Sequence, residues 1–136
     1  MPKIIIAGSR SMDDYNLMAR TWHEYTKKYG LKNDQITIIT GGASGADKLT
    51  EQMAKRYRIR CEVMRADWQT HDRSAGHIRN AEMAKAAGAD GRLLTFWDGQ
   101  SPGTAGMIKQ TRRADLHVEI VHIAIQRFVR VEQLTL

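Results

Sequence analysis

Three times in this chain an apolar run ends at a cluster of small turn residues that opens onto a helical pattern. Gly8-Ser9-Arg10 follows Ile4-Ile5-Ile6-Ala7, and Gly41-Gly42-Ala43-Ser44-Gly45-Ala46-Asp47 follows Ile36-Thr37-Ile38-Ile39-Thr40. Ser101-Pro102-Gly103-Thr104 comes shortly after Arg92-Leu93-Leu94-Thr95-Phe96. Short β-branched runs of this kind suit strands buried on both faces. Repetition of strand, turn and helix predicts a parallel sheet, and in such a sheet all three turns gather at the carboxyl edge. There glycine lets backbone approach a ligand closely, and helix N-termini attract anions.

The remaining punctuation completes the pattern. Strands are expected over residues 4–7, 36–40, 60–64, 92–96 and 117–123. Asp13 or Asp14 caps a helix whose apolar positions Leu17, Met18, Trp22 and Tyr25 recur at three and four residues, and Gly30 closes it. Further helices are expected over residues 43–57, 75–86 and 102–114, with a polar loop through Trp68, His71 and Arg73. The expectation is therefore α/β: one Rossmann-like domain with an open, mainly parallel sheet of about five strands and helices on both faces. Residues 1–123 make up that domain. Residues 124–136, with Ile125, Phe128, Val129 and Val131, fit a short helix or a strand and are expected to form an edge element or an oligomer contact.

A chain of 136 residues fits one domain with a core of its own. Lone Cys61 cannot form an internal disulfide and reads as a small strand residue in a reducing compartment. Met1-Pro2-Lys3 leads straight into a strand and no apolar run approaches the length of a membrane span, so a cytoplasmic protein without membrane contact is expected. The net charge of +6, from 21 Lys and Arg against 15 Asp and Glu, suits a phosphorylated partner. It is scattered in pairs such as Lys27-Lys28 and Arg112-Arg113 rather than concentrated in a stripe, which favours a small molecule over nucleic acid.

Each motif has a chemistry. Gly41, Gly42, Ala43 and Gly45 permit positive φ and leave backbone N–H groups at a helix start, which is a phosphate cradle by chemistry. It is neither a Walker A loop nor Gly-x-Gly-x-x-Gly. Gly8 and Ser9 lead to Arg10, whose guanidinium can fork onto a phosphate. Trp68 offers a face for a base, and Arg79 with Asn80 can bind phosphate, base or ribose. Ser101, Gly103 and Thr104 can cap a helix or donate to an anion. Asp98, at a strand's carboxyl end, can accept from a ribose hydroxyl or act as a base, and an Asp-Gly pair equally often bonds its own backbone in a turn. His71 and His77 have no partners at metal-ligand spacing, so neither a metal nor a cofactor is expected.

Together these motifs resemble the small Rossmann-like proteins of the SLOG superfamily, and more narrowly its YspA-like branch. The resemblance rests on Gly-Ser-Arg, Gly-Gly-Ala-x-Gly-Ala-Asp, Ala-Asp-Trp followed by Gly-x-x-Arg-Asn-x-x-Met, and Trp-Asp-Gly-x-Ser-x-Gly-Thr, in that order between residues 4 and 123. It implies a nucleotide-ligand pocket lined by Gly8, Ser9, Arg10, Gly41, Gly42, Gly45, Asp47, Arg79, Asn80, Ser101, Gly103 and Thr104. Relatives in the superfamily include the LOG phosphoribohydrolases and the single-strand-binding protein DprA. LOG proteins carry a glutamate in a Pro-Gly-Gly-x-Gly-Thr-x-x-Glu motif, and Met107 falls at that place here. Three functions follow, in order of preference: a sensor or sequestering protein for a nucleotide-derived ligand, a nucleotide N-glycosidase, and a single-stranded DNA binder. Cleavage of an N-glycosidic bond needs a carboxylate near the developing oxocarbenium ion, and Asp98, then Asp47, are the candidates. A homo-oligomer is expected, as for many folds of this kind.

Overall fold

A computed structural model of the chain describes residues 2–124. Five strands form one sheet: β1 (Lys3–Gly8), β2 (Thr37–Thr40), β3 (Arg60–Val63), β4 (Arg92–Trp97) and β5 (His117–His122). Every pairing is parallel, and the order across the sheet is β3-β2-β1-β4-β5. The helices are α1 (Tyr15–Tyr29), α2 (Ala46–Tyr57), the one-turn α3 (Trp68–His71), α4 (Ala75–Ala87) and α5 (Pro102–Arg113). This is the α/β arrangement that the glycine turns predict.

Alternation along the central strands sends side chains into two cores. Ile4, Ile6, Ile38, Leu94 and Phe96 pack against Met18, Trp22 and Tyr25 of α1 and Ala46 and Met53 of α2. Ile5, Ile39 and Leu93 face the other way, onto Met83, Ala84 and Ala87 of α4 and Met107 and Ile108 of α5. The sheet is thus covered on both faces, as continuous apolar strands require. The Asp14 carboxylate caps α1 by accepting from the Leu17 N–H at 2.9 Å, and Gly30 closes that helix in the left-handed conformation.

Three local expectations need adjustment. Helix α2 begins at Ala46 rather than at residue 43, because Gly42 and Gly45 both take positive φ, which keeps residues 43–45 out of the helix. The polar stretch expected as loop contains α3, whose first turn is capped by the Asp67 carboxylate accepting from the Thr70 N–H at 3.1 Å. Strands β3 and β5 each end one residue early, at Val63 and His122. The edge element expected in the tail lies, from residue 125 onward, outside the described residues.

Cys61 sits half-buried in β3, where burial first and neighbouring carboxylates second push its thiol up to about 11. It is protonated at neutral pH and a poor nucleophile. Among the described residues no helix is long and apolar enough to cross a membrane.

Candidate functional site

The chain runs outward from β1 through β2 to β3, then returns to build β4 and β5 on the other side, so the strand order reverses between β1 and β4. Loops leaving neighbouring strands part at such a point and open a crevice above the carboxyl ends. Here that crevice is a cleft of about 580 Å³, within the range of small-ligand sites.

Ten of the residues singled out in the sequence line it: Gly8, Ser9 and Arg10 after β1, Ala43 and Asp47 around the start of α2, Asn80 on α4, and Asp98, Ser101, Gly103 and Thr104 at the β4–α5 turn. Five do not. Gly41, Gly42 and Gly45 lie behind the wall as backbone that others pack on, and Arg79 reaches back to that backbone. Trp68 is 55% exposed on α3, with its ring near Gly76. Ser11, Ser44, Met83, Pro102 and Met107 line the cleft unforeseen. Ser11 adjoins a motif and Ser44, Met83 and Pro102 stand inside motifs, which was the available signal, and Met107 stands where LOG proteins carry their glutamate.

The two turns differ in how their carboxylates are used. The Asp98 side chain accepts from the N–H groups of Gln100 at 2.9 Å and Ser101 at 2.8 Å, from the Ser101 hydroxyl at 2.9 Å and from the Ser11 hydroxyl at 3.4 Å. The Ser9 hydroxyl, itself buried, accepts from the Asp98 N–H at 3.1 Å and ties β1 to this turn. Burial raises the Asp98 carboxyl, but the hydrogen bonds from Ser101, Gln100 and Ser9 together outweigh it and hold the group at about 2. Asp98 is therefore ionised and engaged in its own turn, and such a carboxylate is a weak general base at neutral pH.

Asp47 is buried and accepts from the Ala43 N–H at 3.0 Å, closing the β2–α2 turn on itself. Burial pushes its carboxyl above the ordinary range, and the Ala43 N–H and the Arg79 charge pull it back only in part. Arg79 Nη1 donates to the Gly41 carbonyl at 2.7 Å and Arg65 Nη1 to the Gly42 carbonyl at 2.9 Å.

What remains open to a ligand is the start of two helices. Neither α2, with Gly45 at its N-cap, nor α5, with Ser101 there, has a side-chain cap. The Ala46 N–H donates to the Ser9 carbonyl at 3.4 Å and Pro102 has no N–H, so the later first-turn N–H groups and the two dipoles are what act on whatever fills the cleft. Arg10 is exposed on the rim, and among the described residues no acceptor pairs with its guanidinium.

Residues 2–71 match the model of the YspA, cpYpsA-related SLOG family. The chain is also 33% identical over 127 residues to the Gene 61 protein of Mycobacterium phage D29, an alignment that covers 87% of this chain and 94% of that protein. The chain belongs to the YspA, cpYpsA-related SLOG family. For a SLOG protein the class of ligand is nucleotide-related, and the cleft at the strand reversal has the size and the polarity for that class.

Proposed function

We propose that this SLOG protein binds a nucleotide or nucleotide-derived phosphorylated ligand in the β1–β4 cleft, as a sensor or a sequestering protein. The phosphate sits against the uncapped starts of α2 and α5 and takes a forked contact from Arg10. The ribose and base extend along the wall formed by Ala43, Ser44 and Asn80.

The observation that carries this reading is the pair of uncapped starts of two 12-residue helices, meeting in one cleft beside an arginine that is unpaired among the described residues. Helix α1, whose start is already satisfied by Asp14, makes the contrast. With no side chain capping either start, an anion here is favoured by the helix dipoles and by the first-turn N–H groups.

Binding without turnover is favoured over N-glycosidic cleavage on two counts. Met107, 1% exposed, lines the cleft where the LOG pattern has its glutamate, so the wall there is a thioether and not a carboxylate. Asp98, the first candidate for replacing it, is already saturated by donors of its own turn.

Native mass spectrometry of the purified protein, before and after incubation with AMP, tests the proposal. A complex that releases intact AMP on denaturation is the expected result. Recovery of adenine with ribose 5-phosphate overturns binding without turnover, and no complex with AMP or any other nucleotide overturns the site assignment.

A further inference from the structure

Arg79 and Asn80 were expected to touch the ligand, but their hydrogen bonds run elsewhere. Arg79 Nη1 donates to the Gly41 carbonyl at 2.7 Å, and Arg79 Nε donates to Asn80 Oδ1 at 3.0 Å. Asn80 Nδ2 then donates to the Gly103 carbonyl at 3.2 Å. The three bonds form a continuous strut. It starts on the β2–α2 turn, passes through two consecutive residues of α4, and ends on the first turn of α5.

The guanidinium is fitted to its place. It lies so close over the Gly41 Cα that a Cβ on residue 41 would overlap it, and the Asp47 carboxylate flanks the same spot. Asn80 is buried, and both ends of its amide are engaged. A lysine at 79 has one nitrogen and no fork, so it cannot bond the Gly41 carbonyl and Asn80 together. The β2–α2 turn is also braced by Arg65, but that contact ends on Gly42 and does not reach α5.

We infer that Arg79 and Asn80 are positioning residues, which set the spacing between the two helix starts and spend their hydrogen bonds on that spacing rather than on the ligand. The inference rests on the cleft being the phosphate site. An anion held by two helices needs both at once, and a change of about 1 Å in their separation is enough to lose most of the paired contact. The strut is a side-chain link between the two turns, and each of its three bonds ends on a protein atom. Asn80, uncharged, then matters to anion binding as much as Arg79 does.

The test uses AMP as the probe, with calorimetry and backbone and arginine Nε NMR on the full chain. Arg79→Lys, Asn80→Ala and the double variant are compared with the unmodified protein. Each single variant is expected to bind AMP about tenfold more weakly, the loss of one charge-assisted hydrogen bond. The double variant is expected to be no worse than the weaker single, because both substitutions cut one strut. In the unmodified protein, added AMP should shift the Thr104 amide and leave the Arg79 Nε signal in place, which needs no variant to fold. Arg79→Lys and Asn80→Ala both within about twofold of the unmodified protein would overturn the inference, as would an Arg79 Nε signal that shifts with AMP as far as Thr104 does. If AMP moves no amide at all, the nucleotide assignment has failed. The strut is then decided by whether Arg79→Lys displaces the Gly103 amide, as it predicts, or leaves it unmoved.

Discussion

The backbone of Arg10 lies directly against Gly45: a Cβ on Gly45 would sit 2.5 Å from the Arg10 carbonyl oxygen and 2.6 Å from its Cα. Gly45 also has φ +74 and ψ −125, a conformation that side-chain-bearing residues avoid. The β1–α1 loop and the start of α2 thus meet with nothing between them, and this contact sets where the Arg10 side chain leaves the rim. Gly45→Ala is expected to cost about 1–3 kcal/mol of stability from backbone strain, with the clash adding to it. Urea denaturation measures this, and an unchanged midpoint would mean that the loop can retreat freely.

Arg10→Ala separates the binding role from the structural one. The guanidinium is exposed and unpaired among the described residues, so its removal should leave the melting temperature within about a degree. AMP affinity should fall about tenfold or more, since a forked contact to phosphate is charge-assisted at both bonds. Equal affinity in calorimetric titrations of the two proteins would remove Arg10 from the site.

Why some of the site was legible in the sequence, and some was not, follows from what each residue depends on. The position of Arg10, Asp98, Ser101 and Thr104 follows from strand order alone, because parallel strands deliver every β–α turn to one edge. Gly41 and Gly45 were recognised as special backbone, but whether such glycines face a ligand or a neighbouring chain segment is decided by packing partners distant in sequence. For Gly41 that partner is Arg79, 38 residues on. Arg79 illustrates the same limit from the other side: a lone arginine near a helix start looks available until its carbonyl acceptors are located. Met83 stood in a motif but was not named as a lining residue, because a methionine that floors a cleft has the same helical spacing as one in the core.

Asp98→Asn probes the β4–α5 turn. The amide loses the charge that Gln100, Ser101 and Ser11 donate to, and a loss of about 1–3 kcal/mol is expected at pH 7. The folded carboxyl titrates at about 2 against an ordinary 3.8. Its stabilisation is therefore complete above 3.8 and disappears as pH falls through about 2, so the two proteins should converge in acid. Thermal melts at pH 7 and at about pH 2 measure the difference, and a gap that persists unchanged in acid would place the effect in packing instead of charge.

Asp47 carries the opposite sign. Burial sets its folded pKa above the ordinary 3.8, so between those two values the folded protein holds a proton that the unfolded chain has released. This contribution is fully present below 3.8 and is lost as pH rises through the folded value. Beyond it the buried carboxylate is ionised, with the Ala43 N–H and the Arg79 charge offsetting only part of its desolvation. Asp47→Asn keeps an oxygen for the Ala43 N–H and deletes the titration. Relative to the unmodified protein, the variant should therefore gain stability as pH rises above 3.8 and stop gaining once the folded value is passed, whatever its absolute stability. Urea unfolding at half-unit pH steps reads this slope directly. A difference that is flat with pH would show that the pairing of Asp47 with Ala43 and Arg79 cancels its burial, and the β2–α2 turn would then be held by a carboxylate that is charged throughout.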